Sequence, residues 1–262
     1  MSSLNFLVDF CHSAEDVYSN IEYISEVLIN NKILGFKNIS VTDDEFGKIM
    51  TSLYRGHQSP LQLKPGTIYD QNHLHDEDTL TEDVEHFIYS RWHVDNPFYE
   101  QVPCYTGMHM NKFECLEAVG QTHFLDLNYM YEMCPKYFLQ KLDSAKIIHA
   151  TGYVHGSTEK LHPHPAIIYH PITKQPMIYW TGHDIRLYNE DSSEWFASFK
   201  IWVSEFVSDI KNRKTWSWSQ GDVLIWDNRA VAHSFSPGWA HEQRVFTRCE
   251  VGLEVPFAKK PI

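Results

Sequence analysis

Apolar positions recur at helical spacing at the start of the chain and at strand spacing through most of the remainder. Val17, Ile21, Ile24, Val27 and Leu28 share one face of a helix over 13–31, being three, four and seven residues apart. Ser13 is placed to cap it, and Glu15 and Asp16 suit its positive end. Residues 33–38 read as a short buried strand. Thr42-Asp43-Asp44-Glu45 is a capping box that opens a second helix ending near residue 54. Periodicity then lapses over 56–82, where Gly, Pro, His, Asp and Gln accumulate. So long a stretch without pattern predicts a functional loop or lid over 56–87 rather than a connector.

Strand patterns follow near 88–94, 104–114, 147–153, 165–170, 176–180, 215–218, 222–226, 231–235 and 244–252. Residues 171–175 read as a hairpin turn between two of them. Helical insertions are expected at 127–143 and 192–210. The fold class is therefore mostly β with helical insertions: a sandwich, jelly roll or barrel. No repeat or linker divides the pattern, so 1–262 reads as a single domain.

Composition narrows the function. A net charge of −12 with scattered Lys and Arg opposes nucleic acid as a partner, which needs a concentrated basic face. Five cysteines without CxxC spacing suit reduced thiols rather than a disulfide framework or a zinc-thiolate site. No apolar run reaches the ~18 residues that span a bilayer, and the first ten residues lack the pattern of a signal peptide. These features predict a soluble, cytoplasmic protein with no membrane partner.

The chemistry-bearing residues lie in two distant segments, Trp92-His93-Val94-Asp95 and Gly221-Asp222-Val223-Leu224-Ile225-Trp226-Asp227-Asn228, the second followed by His233, Arg244 and Arg248. On a strand, positions i and i+2 face the same way, so His93 and Asp95 can converge on one ion. With His233 they make the 2-His-1-carboxylate set that holds a metal on one face and leaves the other open. The chain has sixteen histidines, so an accidental His-x-Asp is a competing explanation. In the last strand Arg244, Phe246 and Arg248 share a face directed into the barrel mouth, and Val245, Thr247 and Cys249 the other. Guanidiniums buried there require anions, either a ligand's carboxylate or a protein Asp or Glu.

These motifs, with Gly120-Gln121-Thr122 and the run from His164-Pro165 to His170-Pro171, resemble the taurine dioxygenase and 2,4-D dioxygenase family of Fe(II)/2-oxoglutarate-dependent oxygenases. The resemblance extends over about 35–251. It implies a double-stranded β-helix, or jelly roll, with Fe(II), 2-oxoglutarate and O2 as cofactors. It implies His93, Asp95 and His233 as iron ligands, and Arg244 with Thr122 on the distal carboxylate of 2-oxoglutarate. Arg248 matches the position that binds the sulfonate of taurine. The reaction implied is oxidation of a C–H bond of a small anionic or zwitterionic molecule, with release of succinate and CO2. Asp95 is the carboxylate that halogenating relatives lack, so its presence favours hydroxylation, desaturation or cleavage.

Tyr89 and His183 occupy substrate-facing positions where the taurine enzyme has asparagine and phenylalanine, which puts taurine itself in question. Arg91 and His57 are weaker substrate contacts, and Arg91 reads better as a surface cation. His73-Leu74-His75-Asp76 and His162-Pro163-His164 alternate like metal motifs, but the first lacks the downstream pattern and the second reads as a strand entry. Two rival functions remain open: a biosynthetic oxygenase of an amino acid or carrier-bound acid, and a non-catalytic metal or 2-oxoglutarate binding module. Relatives often assemble as dimers or tetramers, so a homo-oligomer is an open expectation.

Overall fold

The computed structural model describes residues 7–54, 91–116, 119–149, 161–182, 185–188, 193–239 and 243–256. Tyr89, His183, His57, the 56–87 loop, the His73/His75 pair and parts of the 88–94 and 147–153 strands lie outside those residues.

Four antiparallel strands form the larger sheet, in the order β1 (Ile33–Phe36), β10 (Val223–Asp227), β2 (Val102–Phe113) and β12 (Arg244–Glu254). Its outer face carries Val223, Ile225, Cys249 and Val251, which bury against helices α1 (Ala14–Ser19), α2 (Ile21–Asn31) and α3 (Asp43–Leu53) through Val17, Ile24, Leu28, Phe46, Ile49 and Met50. Its inner face carries Leu224, Trp226, Met108, Met110 and Phe246. Facing these is a second sheet in the order β11 (Val231–Phe235), β3 (Thr122–Asp126) and β9 (Arg213–Trp216), which contributes Phe124, Val231 and Trp216. Period-2 alternation explains how one strand serves both cores: Val223 and Ile225 go out, Leu224 and Trp226 go in. The result is the jelly roll.

A third core lies behind the second sheet. There Leu125 and Ala232 meet helices α4 (Leu127–Met133) and α6 (Glu194–Ser208), packed with Phe196, Phe199, Val203 and Phe206. Helix α5 (Lys136–Leu142), the small sheet β5 (Pro163–Pro165), β4 (Lys146–His149) and β8 (Ile185–Leu187), and the hairpin β6 (Ile167–Tyr169) and β7 (Pro176–Ile178) complete the layer.

The capping box predicted at Thr42/Glu45 forms, and the Ser13 cap proves to be a box as well, with the Asp16 side chain accepting from the Ser13 amide. The 13–31 helix is nevertheless two helices. Asn20 breaks it, because its side-chain amide donates to the Asp16 carbonyl at 2.8 Å and so competes with the backbone. The 127–143 helix is also two, parted where Cys134 turns extended before Pro135. β3 and β8 were not expected as strands. In β3 inward Phe124 and outward Leu125 are both apolar and fully buried, so no alternation marks it. The stretch predicted at 88–94 contributes, in its described part, a single bridge between His93 and His233.

Candidate metal and cofactor site

That bridge builds the site. The His93 amide donates to the His233 carbonyl at 2.9 Å, and the His233 amide returns a bond of 2.7 Å. The two imidazoles are thereby locked side by side, with ring centroids 4.1 Å apart. Asp95 is placed by Asn228, whose Oδ1 accepts from the Asp95 amide at 2.7 Å while its Nδ2 donates to the carbonyls of Asp95 and Pro103. Asp95 Oδ1 lies 3.9 Å from His93 Nε2 and 3.6 Å from His233 Nε2. A ligand atom from each of the three lies within 4.8 Å of the others, and no other such trio of His, Cys, Asp or Glu occurs among the described residues. A first-row metal with bonds of ~2.1 Å spans ligand separations of about 3–4 Å, so a slight contraction seats one.

The donor chemistry fits as well. His93 Nδ1 lies 2.6 Å from the Arg91 carbonyl. A carbonyl only accepts, so Nδ1 carries the proton and Nε2 presents its lone pair. Burial drives the pKa of His93 down, and that of His233 further, leaving both rings neutral. Burial alone would raise that of Asp95, but the Arg248 guanidinium against it, helped by the Thr106 hydroxyl, holds the carboxyl well below the usual carboxylate range. Two neutral imidazoles and one carboxylate are the protonation states a metal needs. Phe124 and Trp226 wall the ring of His233, with centroids at 6.2 and 4.8 Å.

Arg244 sits at the first residue of β12, buried at 6% exposure. Its guanidinium lies over the rings of Trp239 and Phe246, 4.6 and 5.1 Å from their centroids. Burial lowers its pKa to about 10, which leaves it cationic at neutral pH. Among the described residues no carboxylate pairs with it, and its buried Nε has no hydrogen-bond partner. Gly120, in the left-handed region at φ 67°, lies against its stem: a Cβ there would come 3.2 Å from Arg244 Cδ. Two residues on, Thr122 is buried at the head of β3.

Arg248 meets a different environment. Its Nη2 contacts Asp95 Oδ1 and lies 2.9 Å from Glu250 Oε1, while Thr106 Oγ1 donates to Asp95 Oδ2 at 2.7 Å. Glu250 also accepts from Asn96 at 2.9 Å. The protein-carboxylate explanation left open for the two arginines thus applies to Arg248 and, among the described residues, not to Arg244. Asn228, Thr106 and Glu250 carried no role in the sequence reading; Glu250 was reachable, standing two residues beyond Arg248 on the same strand face. Asp227 is structural, bound to Arg229 and to His170 Nε2 at 2.8 Å. His164 is a strand residue whose Nε2 donates to the Tyr99 carbonyl at 2.7 Å.

Residues 12–249 match the family model described as taurine catabolism dioxygenase TauD, TfdA family. The chain belongs to the TauD/TfdA family. It is therefore a 2-oxoglutarate-dependent dioxygenase that uses Fe(II), 2-oxoglutarate and O2 on a small-molecule substrate. An alkylsulfatase of Acinetobacter baylyi is 23% identical over 93% of this chain and 80% of its own length. An alpha-ketoglutarate-dependent sulfate ester dioxygenase of Pseudomonas putida is 25% identical over 63% of this chain and 60% of its own. Among solved structures, a taurine dioxygenase from Burkholderia xenovorans superposes with a TM-score of 0.68 at 18% identity, over 91% of this chain and 83% of that one. That likeness agrees with the jelly roll of this TauD/TfdA member. No helix among the described residues is long and apolar enough to cross a membrane, and the five cysteines are free.

Proposed function

We propose that His93, Asp95 and His233 hold the Fe(II), that Arg244 and Thr122 take the distal carboxylate of 2-oxoglutarate, and that the substrate is a small sulfonate or sulfate ester. The carrying observation is Arg244, a buried guanidinium without a carboxylate partner among the described residues, which a dianionic cofactor would satisfy. With the cofactors bound, 2-oxoglutarate and O2 give succinate and CO2 and one oxygen atom goes to a substrate C–H bond.

The chain's own part is placement. The hydrogen bond from His93 Nδ1 fixes which nitrogen faces the ion, Thr106 holds one Asp95 oxygen and so turns the other to it, and the aromatic wall keeps the site dry. The names of the curated relatives support the substrate class, and Arg248, on the same strand face as Arg244, supplies a cation for an acidic group. Tyr89 and His183 would complete the substrate wall. A zwitterionic amino acid is the second reading, favoured by Glu250, which puts a carboxylate 2.9 Å from the Arg248 guanidinium where an ammonium could bind.

A panel of alkylsulfonates, sulfate esters and free amino acids, scored by succinate released above the substrate-free rate, separates the two. Sulfonates or sulfate esters are expected to stimulate succinate release, with Arg248→Met raising their KM at least tenfold. Stimulation by amino acids alone would overturn the first reading.

A further inference from the structure

Trp218 has no role in the account so far, yet its indole is aimed at the proposed cofactor site. It lies in the 217–222 segment between β9 and β10, buried at 4% exposure in the core between the sheets. Its Nε1–H donates to Thr122 Oγ1 at 2.9 Å. A threonine hydroxyl has two lone pairs and one proton. With the indole on one lone pair, the hydroxyl proton must point elsewhere, and among the described residues none accepts it. Thr122 thus presents a buried, uncommitted donor near Arg244: Thr122 pairs with Phe235 across the sheet, Phe235 packs on Trp239 at 5.3 Å, and Trp239 stacks on the Arg244 guanidinium.

The segment that carries Trp218 is fixed by the Gly221-Asp222 motif. Gly221 turns at φ 83°, where a side chain would be strained. Buried Asp222 accepts from the Ser219 amide at 2.8 Å, the Asn38 amide at 3.1 Å and Lys37 Nζ at 2.6 Å. Lys37 in turn lies over the Trp216 ring at 4.1 Å. This accounts for a carboxylate in the motif that reaches no ligand site.

We infer that Trp218 is a positioning residue for 2-oxoglutarate: its indole N–H orients the Thr122 hydroxyl so that its proton is donated to the distal carboxylate held by Arg244. The inference rests on the cofactor reading above. Its test is a double-mutant cycle on the full chain, measuring the Kd of 2-oxoglutarate for the Fe(II)-loaded protein without O2, by the visible charge-transfer band. Trp218→Phe removes the N–H and keeps a ring; it should weaken binding roughly three- to tenfold, the scale of one hydrogen bond. In a Thr122→Val background the same change should cost less than about twofold, whereas in Thr122→Ser, which retains the oxygen, the loss should return. Trp218→Met serves if the phenylalanine variant does not fold.

An equal loss in the valine and wild-type backgrounds, or none in wild type, would overturn the positioning role while leaving the cofactor site standing. Wild-type protein that loads Fe(II) and gives no band with 2-oxoglutarate would remove both.

Discussion

At the scale of single residues, the site shows which side chains a sequence exposes to inspection. His93 and Asp95 were legible from their i, i+2 spacing, although His93 makes an isolated bridge rather than a strand, and His233 from the motif that precedes it; the structure brings their ligand atoms within 4.8 Å. Asn228 and Thr106 were not: each acts through a hydrogen bond to a residue far away in the chain, which no spacing rule anticipates. His164 gives a residue-scale prediction. It is buried, and burial pushes its pKa down to about 4, against 6.5 ordinarily. The native state keeps it neutral, so its contribution is complete above pH ~6.5 and is lost as pH falls from there toward about 4, because the unfolded chain takes the proton first. The loss at pH 5 is about 2 kcal/mol. Urea unfolding at pH 7 and pH 5 should show wild type losing about that much more than His164→Gln; parallel pH dependence in the two proteins would refute it.

Between elements, the pairing of Lys32 with Asp126 ties the helix layer to the second sheet. Lys32 ends α2 in the left-handed region at φ 66°, and its Nζ meets both Asp126 oxygens at 2.6 and 2.7 Å. Asp126 also caps α4, accepting from the Asn128 and Tyr129 amides at 2.9 and 3.2 Å. Asp126→Ala strands a buried ammonium and removes a cap, so denaturant unfolding should show a loss of about 3–5 kcal/mol. Asp126→Asn keeps the cap and should lose less; a loss under about 1 kcal/mol in both variants would contradict this reading. Neither partner stands out in the sequence. The cap was hidden because β3 itself was missed, its adjacent Phe124 and Leu125 facing two different cores. Local chemistry read well where it was self-contained, as in the Ser13 cap, the Thr42/Glu45 capping box and the 171–175 turn. It failed where a polar side chain or a proline interrupts an otherwise periodic run, as at Asn20 and Pro135.

At the scale of the molecule, the jelly roll turns two distant segments into neighbours. β11 brings His233 beside His93, and β12 lays Arg244 and Arg248 along one inner face. Both arginines were expected to face into the barrel, but the sequence could not say that one would be held by Asp95 and Glu250 while the other would rest among aromatic rings. That difference divides the labour proposed here, Arg244 for the cofactor and Arg248 for the substrate. The central claim is tested most directly by anaerobic titration of the metal-free protein with Fe(II) and then 2-oxoglutarate, following the visible charge-transfer band. The account predicts a band in wild type that disappears in His233→Ala and needs at least tenfold more 2-oxoglutarate in Arg244→Ala. Fe(II) binding with no band at any 2-oxoglutarate concentration, or a band indifferent to both substitutions, would contradict it.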